Sequence, residues 1–138
     1  MIKRVLIVDD EPPVIDLLRD TFRAFQHGCD YQIETASNGA DAYLAFLRAR
    51  PDLILADLHM PGMNGLQLLK QVRALDARVP VIMITGNRDT QAAAAAQTAG
   101  VFAYVPKPFD LRQLNHLVAL AISIPSSPPS PSGPAAKH

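Results

Sequence analysis

The 138-residue chain suits one domain with a single core, and its 49% of hydrophobic residues supplies ample material to bury. Thirteen basic and thirteen acidic side chains cancel, which leaves no cationic excess for phosphate backbones and argues against direct nucleic-acid binding by this chain. Cys29 is the only cysteine, which excludes an internal disulfide and a cysteine-rich metal centre. Met1-Ile2-Lys3-Arg4 runs straight into a short apolar segment and lacks the apolar length of a signal peptide, and no other run approaches membrane-spanning length. A cytoplasmic chain with no membrane partner is therefore expected.

Taken in chain order, short apolar runs alternate with helical periods. Val5-Leu6-Ile7-Val8 predicts a first strand that ends in Asp9-Asp10-Glu11. Val14, Leu17, Leu18, Thr21, Phe22 and Phe25 then form one helical stripe, with Pro12 and Pro13 at its start, where a missing N–H costs little. Tyr31 to Thr35 alternates as a weaker second strand. Ala40, Tyr43, Leu44 and Leu47 repeat the helical period after Asn38-Gly39, and Pro51 follows. Leu53-Ile54-Leu55-Ala56 predicts the third strand, and Leu68, Leu69, Val72 and Leu75 the apolar face of the third helix. Val81-Ile82-Met83-Ile84 predicts the fourth strand. The helix after it, about Thr90 to Ala99, is alanine-rich, has Asp89 available as a cap and stops at Gly100. Phe102-Ala103-Tyr104-Val105 closes the set of strands. Asp110 caps a final helix whose apolar positions are Leu111, Leu114, Leu117, Val118 and Ala121.

Strict alternation of strand and helix implies a doubly wound α/β fold, a five-stranded parallel sheet with helices on both faces. The flavodoxin-like strand order 2-1-3-4-5 is expected, with ligands outside the carboxyl ends of the strands. From Pro125 onward the composition turns to Pro, Ser, Gly and Ala, so residues 1–123 are expected to fold and 124–138 to form a flexible tail or truncated linker.

Four of the five predicted strands deliver a polar residue to one sheet edge. Asp9-Asp10-Glu11, Asp57, Thr85 and Lys107 follow strands one, three, four and five; strand two, expected at the sheet border, does not contribute. Each residue alone reads as a turn residue or helix cap. Together they make a different case. Crowded carboxylates repel, and a hard cation such as Mg²⁺ resolves the repulsion with one or two of them. An adjacent ammonium can neutralise a further anion. Acids, a lysine and a hydroxyl without a histidine base suit phosphoryl chemistry, with a carboxylate as nucleophile.

Four motifs at these strand ends resemble the response-regulator receiver, the CheY-like domain of two-component systems. They are Val8-Asp9-Asp10-Glu11, Asp57 through Gly65, Ile84-Thr85-Gly86, and Tyr104 through Phe109, in family order and spacing, with the similarity covering about residues 3 to 122. The resemblance implies that Asp57 is the phosphoacceptor and that Asp10 ligates Mg²⁺ directly. Asp9 would act largely through a bound water, and the His59 carbonyl would be a third protein ligand. Lys107 would pair with the phosphoryl oxygens and Thr85 would hydrogen-bond to one of them. The Lys107-Pro108 peptide is expected to be cis; Pro61 and Gly65 shape the following loop, and Gly86 leaves room at the phosphoryl entrance. Thr85 and Tyr104 would form the switch, reshaping the surface of helix four, strand five and helix five. The implied partners are a histidine kinase or phosphotransfer protein, with a homodimer through that surface also compatible. The His59 imidazole is free to affect dephosphorylation, and His27, His116 and His138 are expected at the surface.

Three other functions meet specific objections. An aspartyl-nucleophile phosphatase of the haloacid-dehalogenase type wants a second acid two residues after the first, where this chain has His59. A flavodoxin-like carrier wants a hydroxyl-rich phosphate loop where Asp9-Asp10-Glu11 would repel the flavin phosphate. A pseudo-receiver that binds partners without phosphorylation usually lacks part of the acidic set or the lysine; this chain has all of them. The expected protein is a switch that catalyses its own modification and turns over no metabolite.

Overall fold

The computed structural model describes residues 1–86 and 90–123. Its elements run β1 (Ile2–Val8), α1 (Pro12–Ala24), β2 (Asp30–Ala36), α2 (Gly39–Arg48), β3 (Leu53–Asp57), α3 (Gly65–Leu75), β4 (Val81–Thr85), α4 (Thr90–Thr98), β5 (Ala103–Pro106) and α5 (Leu111–Ile122). All pairings are parallel and the sheet order is β2-β1-β3-β4-β5, as expected. The expected Asp89 cap and the tail at 124–138, including His138, lie outside the described residues.

Strand periodicity divides the core. Val5 and Ile7, Leu53 and Leu55, Ile82 and Ile84, and Val105 face one side, where Leu18 and Phe22 of α1 and Leu114, Val118 and Ala121 of α5 cover them. Leu6 and Val8, Ile54 and Ala56, and Val81 and Met83 face the other side, under Ala42, Ala45 and Phe46 of α2 and Leu68, Leu69 and Val72 of α3. Burial on both sides explains the unbroken apolar runs of the central strands.

The edges depart from expectation. β1 begins at Ile2 because Ile2, Lys3 and Arg4 pair with Asp30, Tyr31 and Gln32 of the border strand; backbone pairing, which apolar content does not report, extends it. β5 is shifted one residue and includes Pro106, which a border strand tolerates because its outer side needs no ladder donor.

On α2 the predicted stripe is largely the wrong face. Ala40, Leu44 and Leu47 are exposed and Tyr43 is only half-buried, whereas Gly39, Ala42, Ala45 and Phe46 are buried. Close approach favours small residues here: a Cβ on Gly39 would lie 2.3 Å from the Met63 carbonyl oxygen. Leu17 on α1, Leu75 on α3 and Leu111 on α5 also point outward, each at the end or rim of its stripe. His27, expected at the surface, is half-buried. Its ring lies 4.7 Å from that of Phe25 and its nitrogens hydrogen-bond Tyr31 Oη and Asn115 Oδ1, tying the α1–β2 loop to α5. His116 is exposed as expected.

Two helix ends, one at each edge of the parallel sheet, are closed by specific contacts. Asn64 and Gln67 form a reciprocal capping box at the start of α3, each contact 2.9 Å long. Asn64→Ala is expected to cost about 1 kcal/mol in urea denaturation, the usual loss when an N-cap side chain is removed. At the end of α4, Gly100 adopts φ 93° and closes a Schellman motif through Gly100 N–H to Gln97 O and Val101 N–H to Ala96 O. Arg73 of α3 donates to the Gly100 carbonyl from Nε and Nη2, at 3.1 and 2.9 Å.

Candidate functional site

Strand phase decides which polar residues meet. Asp57 continues the Leu53, Leu55 phase of β3, while Thr85 continues the Val81, Met83 phase of β4 toward α2 and α3. Tyr104 shares the Thr85 side, half-buried against the same core as Ala92 of α4. Acid chemistry and the hydroxyl–aromatic pair thus sit on opposite phases of one sheet edge.

The acids are held by their own loops. Asp9 N–H donates to Ala36 O at 3.1 Å, which keeps the chain in register one residue beyond β1. Asp9 Oδ1 accepts from Glu11 N–H at 2.9 Å, and Asp57 Oδ1 accepts from His59 N–H at 3.1 Å. The second oxygens of Asp9 and Asp57 accept from Lys107 Nζ at 3.2 and 3.3 Å. Lys107 is itself placed by its N–H, which donates to Thr85 O at 2.7 Å, and its peptide to Pro108 is cis as expected. Asp10, Asp9 and Asp57 each offer a carboxylate oxygen within 4.8 Å of the others; Asp9 and Asp57 are buried and Asp10 is exposed.

Gly65 is required where it stands. A Cβ there would lie 2.3 Å from the Asp57 carbonyl oxygen and 2.8 Å from Met83 Sδ, so α3 starts directly against the strand that carries Asp57. Gly86 differs: a Cβ would meet Lys107 Cβ at 3.9 Å, an ordinary contact, so Gly86 relieves no clash among the described residues.

One ammonium serves several carboxylates, and their titration follows. Burial pushes the Asp9 carboxyl above its ordinary value of 3.8; the Glu11 N–H and the Lys107 charge pull against this, and the Asp57 charge adds to it. Burial works against the Lys107 ammonium, but the charges of Asp57 and Asp9 and their hydrogen bonds outweigh it and hold the group above its usual range. The hard oxygen donors, their spacing and the unbalanced negative charge fit a divalent cation such as Mg²⁺.

The residues brought together are Asp9, Asp10, Asp57 and Lys107, with the His59 main chain on Asp57 through its N–H and the Thr85 main chain on Lys107 through its carbonyl. The His59 side chain is exposed. Sequence reasoning placed Glu11 only as one of three adjacent acids. Its carboxylate also reaches Lys107 Nζ, at 3.4 Å. The signal for this was its position two residues after Asp9, where the turn closed on Asp9 Oδ1 brings it back over the site. A cavity of about 460 Å³ between the second half of α1 and the first half of β2, lined by Arg19, Phe25 and Tyr31 among others, lies away from this cluster.

The family model for the response regulator receiver domain matches residues 5–119. The chain is 40% identical over 125 residues to the regulatory protein AtoC of Escherichia coli, an alignment covering 91% of this chain and 26% of that protein. It is 31% identical over 127 residues to the sporulation initiation phosphotransferase F of Bacillus subtilis, covering 92% of this chain and 99% of that one. The crystal structure of a putative response regulator from Chloroflexus aurantiacus superposes with a TM-score of 0.79 at 30% identity, covering 89% and 99% of the two chains. The chain thus spans about a quarter of AtoC, at 26%, and nearly the whole of the phosphotransferase, at 99%. With the family model covering most of its length and a relative matched almost end to end, the chain belongs to the response regulator receiver domains.

Proposed function

We propose that Asp57 accepts a phosphoryl group from a phosphohistidine of a histidine kinase or phosphotransfer protein, with Mg²⁺ held by Asp10, Asp57 and the His59 carbonyl, and with Asp9 contributing largely through a water. The observation that carries this reading is Lys107 Nζ lying 3.3 Å from Asp57 Oδ2 and 3.2 Å from Asp9 Oδ2 beside the acid cluster. A carboxylate oxygen of Asp57 attacks phosphorus as the phosphorus–nitrogen bond breaks, and the departing imidazole nitrogen keeps the electron pair and takes a proton from solvent. Lys107 pairs with a phosphoryl oxygen, and the Thr85 hydroxyl donates to another. Bound Mg²⁺ supplies further neutralisation of charge on the phosphoryl oxygens. Water later hydrolyses the acyl phosphate, so the protein is a self-modifying switch and turns over no metabolite.

Output follows from the second phase of the sheet edge. Thr85, drawn toward the phosphoryl group, opens space for Tyr104, and the surface of α4, β5 and α5 changes the partner, output domain or second copy that it favours. The receiver is taken as residues 1–123, and a cytoplasmic setting suits this partnership. No helix among the described residues is long and apolar enough to cross a membrane. The pseudo-receiver alternative gains no support, because Asp9, Glu11 and Asp57 contact Lys107 and Asp10 lies with Asp9 and Asp57.

The test is incubation with acetyl phosphate and Mg²⁺, with intact mass as the readout. One added phosphoryl group, labile to hydroxylamine, absent without Mg²⁺ and absent in Asp57→Ala, is the expected result. Stable modification elsewhere, or none at all, refutes the assignment.

A pH dependence follows from Asp9. A carboxyl raised in the folded state stabilises the metal-free protein most below its unfolded value, and that contribution fades as pH rises through the folded value. Mg²⁺ needs the ionised form. Its affinity, and the melting-temperature gain it produces, are therefore expected to grow with pH in a window starting above 3.8 and then to level off. Calorimetric Mg²⁺ titrations at several pH values check this, and a flat profile above pH 3.8 contradicts it.

A further inference from the structure

Lys107 Nζ stands 3.2, 3.3 and 3.4 Å from carboxylate oxygens of Asp9, Asp57 and Glu11. The first two acids are buried members of the cluster; the third lies outside it, with its side chain 62% exposed. The Glu11 main chain is nonetheless fixed. Its N–H donates to Asp9 Oδ1, and its carbonyl accepts from the N–H groups of Val14 and Ile15 that open α1. A cation held by Asp57, and through a water by Asp9, competes with the ammonium for these carboxylates and repels it. Glu11 is the remaining partner that Lys107 already touches.

We propose that Glu11 is a positioning residue for Lys107, holding its ammonium off Asp9 and Asp57 while a divalent cation is bound and releasing it to the phosphoryl group. The inference rests on the phosphoacceptor reading of Asp57. It makes two opposite demands: Glu11 eases Mg²⁺ entry, and it competes with phosphoryl capture.

Two variants separate this contact from a mere effect of charge. Glu11→Gln keeps the length and removes the charge; Glu11→Asp keeps the charge and withdraws it by one methylene. If the contact matters, both variants bind Mg²⁺ more weakly in calorimetry. Both also bind fluoroberyllate more tightly at saturating Mg²⁺, each by about two- to fivefold, as suits a part-exposed ion pair. Glu11→Asp behaving as wild type while Glu11→Gln differs reduces Glu11 to a background charge and overturns the proposal, as does the absence of change in both. A wild-type protein that binds Mg²⁺ but no fluoroberyllate sinks the phosphoacceptor reading. The Mg²⁺ titrations of the two variants then still decide whether Glu11 holds the lysine.

Discussion

Asp57→Asn is expected to take up no phosphoryl group from acetyl phosphate or a phosphorylated kinase, and yet to be more stable than the wild type in metal-free buffer. Loss of uptake follows from replacing a nucleophilic carboxylate by an amide that cannot form an acyl phosphate under these conditions. The stability gain follows from charge. Three carboxylates, Asp9, Glu11 and Asp57, contact the ammonium of Lys107, and Asp10 lies beside two of them, so among the described residues negative charge is in local excess when all are ionised. Substituting one buried member removes repulsion from its neighbours while Lys107 keeps Asp9 and Glu11 as partners. A gain of about 1 kcal/mol is expected in metal-free urea denaturation, since attraction to the lysine offsets part of the repulsion. Saturating Mg²⁺ should cancel or reverse the difference, because the wild type then gains more from the ion. Equal stability of the two proteins without metal would mean that the acids are not in electrostatic conflict.

Gly65→Ala is expected to damage both fold and site. The added methyl would sit 2.3 Å from the Asp57 carbonyl oxygen and 2.8 Å from Met83 Sδ. A sulfur on a flexible side chain can yield, but a backbone carbonyl at the end of a central strand cannot do so without moving the strand. The Gly65 N–H is also tied to Leu58 O at 3.0 Å, so α3 cannot simply back away. A cost of about 2 to 3 kcal/mol is expected, in the range for forced overpacking. Phosphorylation of whatever remains folded should slow by roughly tenfold or more, because the acceptor's main chain is displaced by an appreciable fraction of an ångström. Gly86→Ala is the internal control. Among the described residues its methyl meets only Lys107, at 3.9 Å, and should change stability by less than about 0.5 kcal/mol. Parity between the two variants in denaturation would show that α3 does not press on β3 as described.

Much of the architecture was legible because two-sided burial writes itself plainly. Val5 to Val8, Leu53 to Ala56 and Val81 to Ile84 have no alternation to misread, and each ends at a charged or hydroxyl residue in the expected place. The α2 face was not legible. Leu44 and Leu47 suggested a stripe, but Ala42, Ala45 and Gly39 lie inward because the helix packs close, and hydrophobic size is a poor guide where separation is short. The tie of His27 to Tyr31 and Asn115 was likewise hidden: residues 88 positions apart meet only when α5 lies beside α1 on the same face.

From the order of its residues alone, this protein was determined to be a parallel α/β sheet carrying Asp9, Asp10, Asp57, Thr85 and Lys107 at one edge, since the strand-ending motifs are local. Tertiary structure decided how those groups divide. Sheet phase sends Asp57 to one side and Thr85 with Tyr104 to the other, and the turn after β1 brings Glu11 onto a lysine 96 residues away. Such sharing of one cation depends on distances between strands, which are set by packing and backbone pairing and are encoded in no single segment.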